Sequence, residues 1–197
     1  MDTIMGGHHL ILGQLTDFVT GETLDDTLDE RYRQDIARLL VSQKKYDKAD
    51  ITPRQSLQIK LAEKCARLWV AYVITLRSRM AMVIHYGPGS LVTRHRPTLA
   101  MGRLLAAYQI PRVVVTNGEQ ADILDGATGK VVATGLERIP DRDQLSALCE
   151  SHPWRPIDAR RKEMEARILM AFEVDDRCPC DDSVCGFDYP KDDNNAG

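Results

Sequence analysis

The stretch MAMVIHYGPGSLVTRHRPTLAMGRLLAAYQIPRVVVTNG, residues 80–118, decides the architecture. MAMVIHY and RVVVTNG are almost wholly apolar, so both read as strands buried deep in a sheet. Between them PTLAMGRLLAAYQ is rich in Ala and Leu and reads as a helix that stops before Pro111. Strand, crossover helix and strand in that order make the two strands parallel neighbours. The Asn117-Gly118 pair then turns the chain.

Working outward, LWVAYVITL is also apolar and is separated from MAMVIHY by only Arg77-Ser78-Arg79, which predicts a hairpin. SLQIKLA alternates apolar and polar residues as a half-buried strand does. Thr27 and Glu30 stand at capping-box spacing, and Tyr32, Ile36, Leu39 and Leu40 follow at helical spacing, predicting a helix that ends near Lys44. HHLILGQLTDFVTGE reads as a short extended arm or hairpin. Downstream, ADILD and KVVAT form a hairpin around Gly126 to Gly129. A helix runs from about Asp141 to Cys149. Pro153 and Pro156 then interrupt the chain before a last helix with Ile157, Met164, Ile168 and Phe172 on one face. The expected fold is α/β: a mixed β-sheet flanked by helices, with added C-terminal helices. The expected divisions are an N-terminal arm (1–24), the sheet domain (25–140), C-terminal helices (141–173) and an acidic, cysteine-containing tail (174–197) that is poor in apolar residues.

With 197 residues and 43% hydrophobic content the chain can bury one sizeable core. No apolar run is long enough to span a membrane, and the N-terminus lacks the basic start and long apolar run of a signal peptide. Five cysteines, an odd number, fit a reducing cytoplasm better than a disulfide framework. The net charge is only −3, yet residues 64–118 contain no Asp or Glu and carry Lys64, Arg67, Arg77, Arg79, Arg94, Arg96, Arg103 and Arg112. Eight positive charges there leave −11 for the rest of the chain. A basic middle between acidic ends points to an anionic partner such as DNA or another nucleic acid. The alternative is that these arginines pair with acids from the two ends once the chain folds.

Within the basic middle, Gly87-Pro88-Gly89-Ser90 runs into Arg94, His95 and Arg96. Glycines let backbone amides approach a ligand, and a helix start favours an anion. The loop is neither a Walker motif nor a dinucleotide fingerprint, so a plain turn with Ser90 as a cap fits equally. Candidate nucleic-acid contacts are Arg77, Arg79, Arg94, His95, Arg96 and Arg103. In the tail, Cys178, Cys180 and Cys185 offer three thiolates to zinc, with Cys149, His152 or an Asp as the fourth ligand; the alternative is a tail that merely bears cysteines. His8, His9 and His85 form no recognisable catalytic arrangement.

The order of pieces from Asp29 to Ile139 resembles the N-terminal nuclease-like domain of the restriction subunit of type I restriction enzymes, a member of the PD-(D/E)xK superfamily. The likeness rests on Glu30, Arg33, Leu39, Leu40 and Tyr46 in the opening segment, and on Thr116-Asn117-Gly118 and Thr128-Gly129 in the closing strand and hairpin. The resemblance implies a hairpin presenting an Asp on one strand and Glu-x-Lys on the next, which together hold magnesium and position the attacking water. Here those positions fall on Tyr72 and on Ile84-His85-Tyr86. The expectation is a degenerate nuclease domain that keeps a basic face and has lost its magnesium site. Glu30 stands as a possible remnant ligand and His85 as a possible substitute. The rivals are a protein-interaction module without nucleic-acid affinity, and an active endonuclease with an unorthodox site.

Overall fold

The structure, a computed structural model, describes residues 10–62 and 64–175. Its strands are β1 (Gln14–Thr16), β2 (Thr23–Asp25), β3 (Ile51–Leu61), β4 (Lys64–Leu76), β5 (Arg79–Tyr86), β6 (Arg112–Thr116), β7 (Ala121–Asp125) and β8 (Val131–Thr134). Its helices are α1 (Leu28–Ser42), α2 (Leu91–Leu104), α3 (Arg142–Ser151) and α4 (Ala159–Leu169). Strands β3 to β8 form one six-stranded sheet in chain order, and β1 pairs with β2 in a separate hairpin. Within the large sheet β5 and β6 are parallel and the other neighbours antiparallel, so the fold is a mixed α/β sheet.

Burial on both faces explains the unbroken apolar runs. On one face Tyr72, Ile74, Met82, Ile84, Val114 and Ile123 pack with Ile36, Ala37 and Leu40 of α1. On the other, Val70, Val73 and Val83 pack with Ala100 and Met101 of α2 and with Leu169 and Met170. Strand β5 therefore sends Met82 and Ile84 to one core and Val83 to the other. Helix α2 lies so close to β6 that a Cβ on Gly102 would come 2.7 Å from Val113 Cγ2, which only a glycine avoids.

Helix α1 starts as its capping residues require: Glu30 N–H donates to Thr27 Oγ1 at 3.1 Å. The Glu30 carboxylate does not return to the cap; it turns to Arg33 and Gln34. Helix α2 begins at Leu91, six residues before the expected Pro97, and Pro97 lies inside it. The reason is Leu91, buried with Leu99 against Val113, Val115 and Leu124, so the extra turns bury apolar surface that outweighs the hydrogen bond lost at Pro97. This places Arg94, His95 and Arg96 on a helix rather than in a loop.

The apolar face expected for the last helix is also corrected. Met164 and Phe172 are exposed, and the buried residues are Glu165, Ala166, Leu169 and Met170. A buried carboxylate sets this orientation, as described below.

Strand β4 changes sides partway along. Ala66, Leu68 and Val70 face α2 and α4, whereas Tyr72 and Ile74 face α1, so the alternation slips between Val70 and Tyr72. Opposite the slip, Arg54 of β3 adopts φ 48°, in the left-handed region that is costly for a residue with a Cβ. Beyond this point the β3–β4 pair extends past the end of β5 as a two-stranded arm. One side of the arm, bearing Leu57, Ile59, Ala66 and Leu68, is packed; the other bears exposed Gln58, Lys60, Cys65, Arg67 and Trp69.

Candidate nucleic-acid interface

Tyr72 and Ile84 face each other across the β4–β5 ladder, both buried. The Tyr72 hydroxyl donates to the Arg33 carbonyl at 2.7 Å, and the Tyr86 hydroxyl donates to Asp29 Oδ1 at 2.9 Å. Burial, and then the neighbouring carboxylates Glu30 and Asp17, raise the Tyr72 phenol far above its ordinary pKa. These hydroxyls are fixed structural donors.

Two carboxylates do gather beside Tyr72, but neither is open. Glu30 Oε2 accepts from Arg33 at 3.0 Å and Oε1 from Gln34 at 2.8 Å. The same Gln34 amide reaches Asp17 Oδ2 at 3.2 Å. Asp17 further accepts from Arg54 at 2.5 Å and from the Val19 and Thr20 amides at 2.8 Å each. Burial would raise the Asp17 pKa; the Thr20 amide, Arg54, Gln34 and the Val19 amide outweigh it and hold the carboxyl below its usual range. Arg54 reaches this position from a left-handed backbone. Magnesium requires an octahedral set of open oxygens. The residues here do not fit it: the strand positions are a phenol, a sec-butyl group and another phenol, and guanidinium and amide groups already occupy the nearby carboxylates. Among the described residues no three His, Cys, Asp or Glu side chains gather where they could hold a metal ion.

His85 Nδ1 is buried and has no hydrogen-bond partner among the described residues. Burial, then the charges of Arg94 and Arg33, push the His85 pKa down to about 3. The ring is neutral at ordinary pH, so it carries no imidazolium proton to give as a general acid.

The arginines singled out by sequence do not share one face. Arg77 and Arg79 lie at the start of β5 and Arg94 just beyond its end. Eight residues of strand separate the two groups by roughly 20 Å. Arg77 pairs with Glu150 at 2.9 Å, with both side chains in solvent. Arg79 lies over the Trp154 ring, 5.0 Å from its centroid. Arg94 donates Nε and Nη2 to the Pro88 carbonyl at 3.2 and 3.0 Å, folding over Gly87, where a Cβ would come 2.6 Å from Arg94 Cζ. Gly87 thus makes room for Arg94. His95 Nε2 lies 2.8 Å from Asp122 Oδ2. Arg96 and Arg103 both bond Glu165, and Arg112 pairs with Asp125 at 3.2 Å. For Arg77, Arg96, Arg103 and Arg112, acids from outside residues 64–118 supply the counter-charge.

What remains open is the bare side of the arm. Lys60 and Arg67 are exposed there without a carboxylate partner among the described residues, and Trp69, next along the same side beyond Arg67, keeps 38% of its surface in water. Arg67 and Trp69 share a side because the alternation of KCARLW continues the strand four residues before Leu68, where the apolar run begins. That alternation was the available signal; the apolar run masked it.

Cys178, Cys180 and Cys185 lie outside the described residues. Cys149, a possible fourth ligand, is half-buried, and burial raises its thiol pKa. No helix among the described residues is long and apolar enough to cross a membrane.

Residues 28–140 match the family described as type I restriction enzyme R protein N terminus, and the chain belongs to that family. No curated protein and no solved structure shows significant similarity to it.

Proposed function

We propose that this member of the type I restriction enzyme R protein N-terminus family binds nucleic acid by phosphate contacts and base stacking, and does not cleave it by metal-dependent hydrolysis. The reading treats the chain as a degenerate PD-(D/E)xK nuclease domain. The observation that carries it is the bare side of the β3–β4 arm, where the exposed Trp69 indole, Arg67 and Lys60 follow one another in a row. A cationic groove with an aromatic platform is how proteins hold single strands without reading sequence, and each stacked base contributes about 1–3 kcal/mol. Arg79 and Arg94 add charge at the two ends of β5. Absence of cleavage follows from Tyr72, Ile84 and Tyr86 at the strand positions and from the occupied oxygens of Glu30.

A specific observation favours a second reading, a protein-interaction module without nucleic-acid affinity: four of the arginines in residues 64–118 have carboxylate partners. Fluorescence anisotropy with a labelled single strand and a labelled duplex separates the two readings. Trp69→Ala is expected to weaken single-strand binding about tenfold, and Arg67→Ala to flatten the salt dependence by about 0.7 in log–log slope. Binding indifferent to both substitutions would remove the arm from the interface. No binding at low salt would favour the interaction module.

A further inference from the structure

Helices α2 and α4 meet around a carboxylate with no solvent exposure. Glu165 Oε2 accepts from Arg96 Nη1 at 2.5 Å; Oε1 accepts from Arg103 Nη1 at 2.8 Å and from Arg161 Nε at 2.6 Å. Burial alone would raise the Glu165 pKa, but Arg96 first, then Arg103 and Arg161, hold it below the usual range. Three guanidiniums around one carboxylate leave two positive charges over.

The three cations are not equivalent. Arg103 is 4% exposed and its Nη2 donates to the Ala127 carbonyl, so both of its terminal nitrogens are engaged inside the protein. The Arg96 and Arg161 side chains are 38% and 42% exposed. Arg96 uses only Nη1 and Arg161 only Nε, so among the described residues their other guanidinium N–H groups have no protein partner. Asp158, the cap of the same helix, is turned to the helix start, where Oδ1 accepts from the Arg161 amide at 2.8 Å. Counting its charge against the cluster still leaves an excess of one. Because Arg96 and Arg161 bond the two oxygens of one carboxylate, their guanidiniums are held side by side, and a tetrahedral phosphate has oxygens enough to accept from the N–H groups that Glu165 leaves unused. Glu165 fixes both forks, so little side-chain freedom remains to be lost when an anion binds.

We propose that Arg96 and Arg161 form a phosphate clamp, with Glu165 as its positioning residue. The clamp lies across the sheet from the bare side of the arm, and Arg161 and Glu165 lie outside residues 28–140. It is therefore a site additional to the proposed interface. Its ligand is a phosphate group, from a nucleic-acid backbone or from a small phosphorylated molecule. Only the first source rests on the nucleic-acid reading.

The test follows the arginine Nε–Hε resonances by NMR during titration with inorganic phosphate, and in parallel measures binding of a labelled oligonucleotide. Saturable shifts confined to Arg96 and Arg161 are expected. Arg161→Ala should lower phosphate affinity at least tenfold, and Arg96→Lys, which keeps the charge on Glu165 but removes the fork, should also lower it. Loss of both phosphate and oligonucleotide affinity in Arg161→Ala assigns the clamp to the nucleic-acid backbone. Phosphate shifts without oligonucleotide binding sustain the clamp with a small-molecule source and sink the nucleic-acid reading. No saturable shift, or affinity unchanged in both variants, overturns the clamp; oligonucleotide binding that still depends on Trp69 would then leave the nucleic-acid reading standing.

Discussion

Glu30 and Glu165 are both buried acids held by arginine, yet their surroundings balance oppositely. Around Glu30, two buried carboxylates, Asp17 and Glu30, meet two guanidiniums, Arg33 and Arg54, with Gln34 bridging the acids. Around Glu165, one carboxylate meets three. Arg54 also bonds the exposed Glu22 at 2.8 Å, so the first cluster has no surplus positive charge and works as a fastening: Asp17 ties the β1–β2 hairpin to α1 and β3. The unbalanced cluster also fastens α4 to α2, but it leaves positive charge and free N–H donors at the surface. Buried acids fasten a helix to its neighbours in both places; only at the second does a positive surplus remain at the surface.

Substitutions can break this contrast. The largest effect is expected for Glu165→Leu, which leaves Arg103 buried without its counter-charge. Loss of a partner in a buried pair costs about 3–5 kcal/mol, read as a fall in the urea midpoint. A loss below about 1 kcal/mol would mean that apolar packing, not the ion cluster, holds α4. Asp17→Ala should cost less, about 2 kcal/mol, because Arg54 is a third exposed and regains water when released. Equal costs at the two sites would erase the distinction drawn here.

The clusters also predict an acid limb of stability. Asp17 and Glu165 both have folded pKa values below their ordinary ones, so their contribution is complete above about pH 4.5 and is lost as pH falls through the folded values. His85 acts over a higher window. Its folded pKa of about 3 lies below the unfolded 6.5, so the unfolded chain binds the extra proton and stability falls as pH drops below 6.5. The slope is about 1 kcal/mol per pH unit. Chemical denaturation at pH 7 and pH 5 should show that slope, and His85→Leu should remove it; a slope that persists in the variant would assign it elsewhere. The smallest effect is expected for Tyr72→Phe, about 1 kcal/mol for the hydrogen bond to the Arg33 carbonyl, with folding otherwise intact.

The sheet was legible in the sequence because burial on both faces of β5 and β6 writes itself as unbroken apolar runs, and the crossover fixes their parallel pairing. The Thr27 cap was legible because it joins residues only three apart. The start of α2 was not: Pro97 looks like a first-turn residue, and only the tertiary burial of Leu91 carries the helix past it. The partners of the arginines were illegible as well. Arg96 and Arg103 find Glu165 69 and 62 residues away, and no spacing rule foretells that. The same pairing turns α4 so that Glu165 faces inward and Met164 outward. The arm was half legible: its apolar side resembles any strand, but the slip opposite Arg54, which decides where Arg67 and Trp69 point, depends on a backbone conformation that the residue type disfavours.

The most direct measurement mixes the protein with a labelled duplex bearing a single-stranded overhang, from 50 to about 200 mM salt, with magnesium or manganese present, and reads binding and strand integrity together. Binding that weakens steeply with salt while the strands stay intact is expected, with the overhang lost from the contact in Trp69→Ala. Metal-dependent cleavage by the purified chain would contradict the loss of the nuclease site, and absence of binding at the lowest salt would contradict the nucleic-acid interface itself.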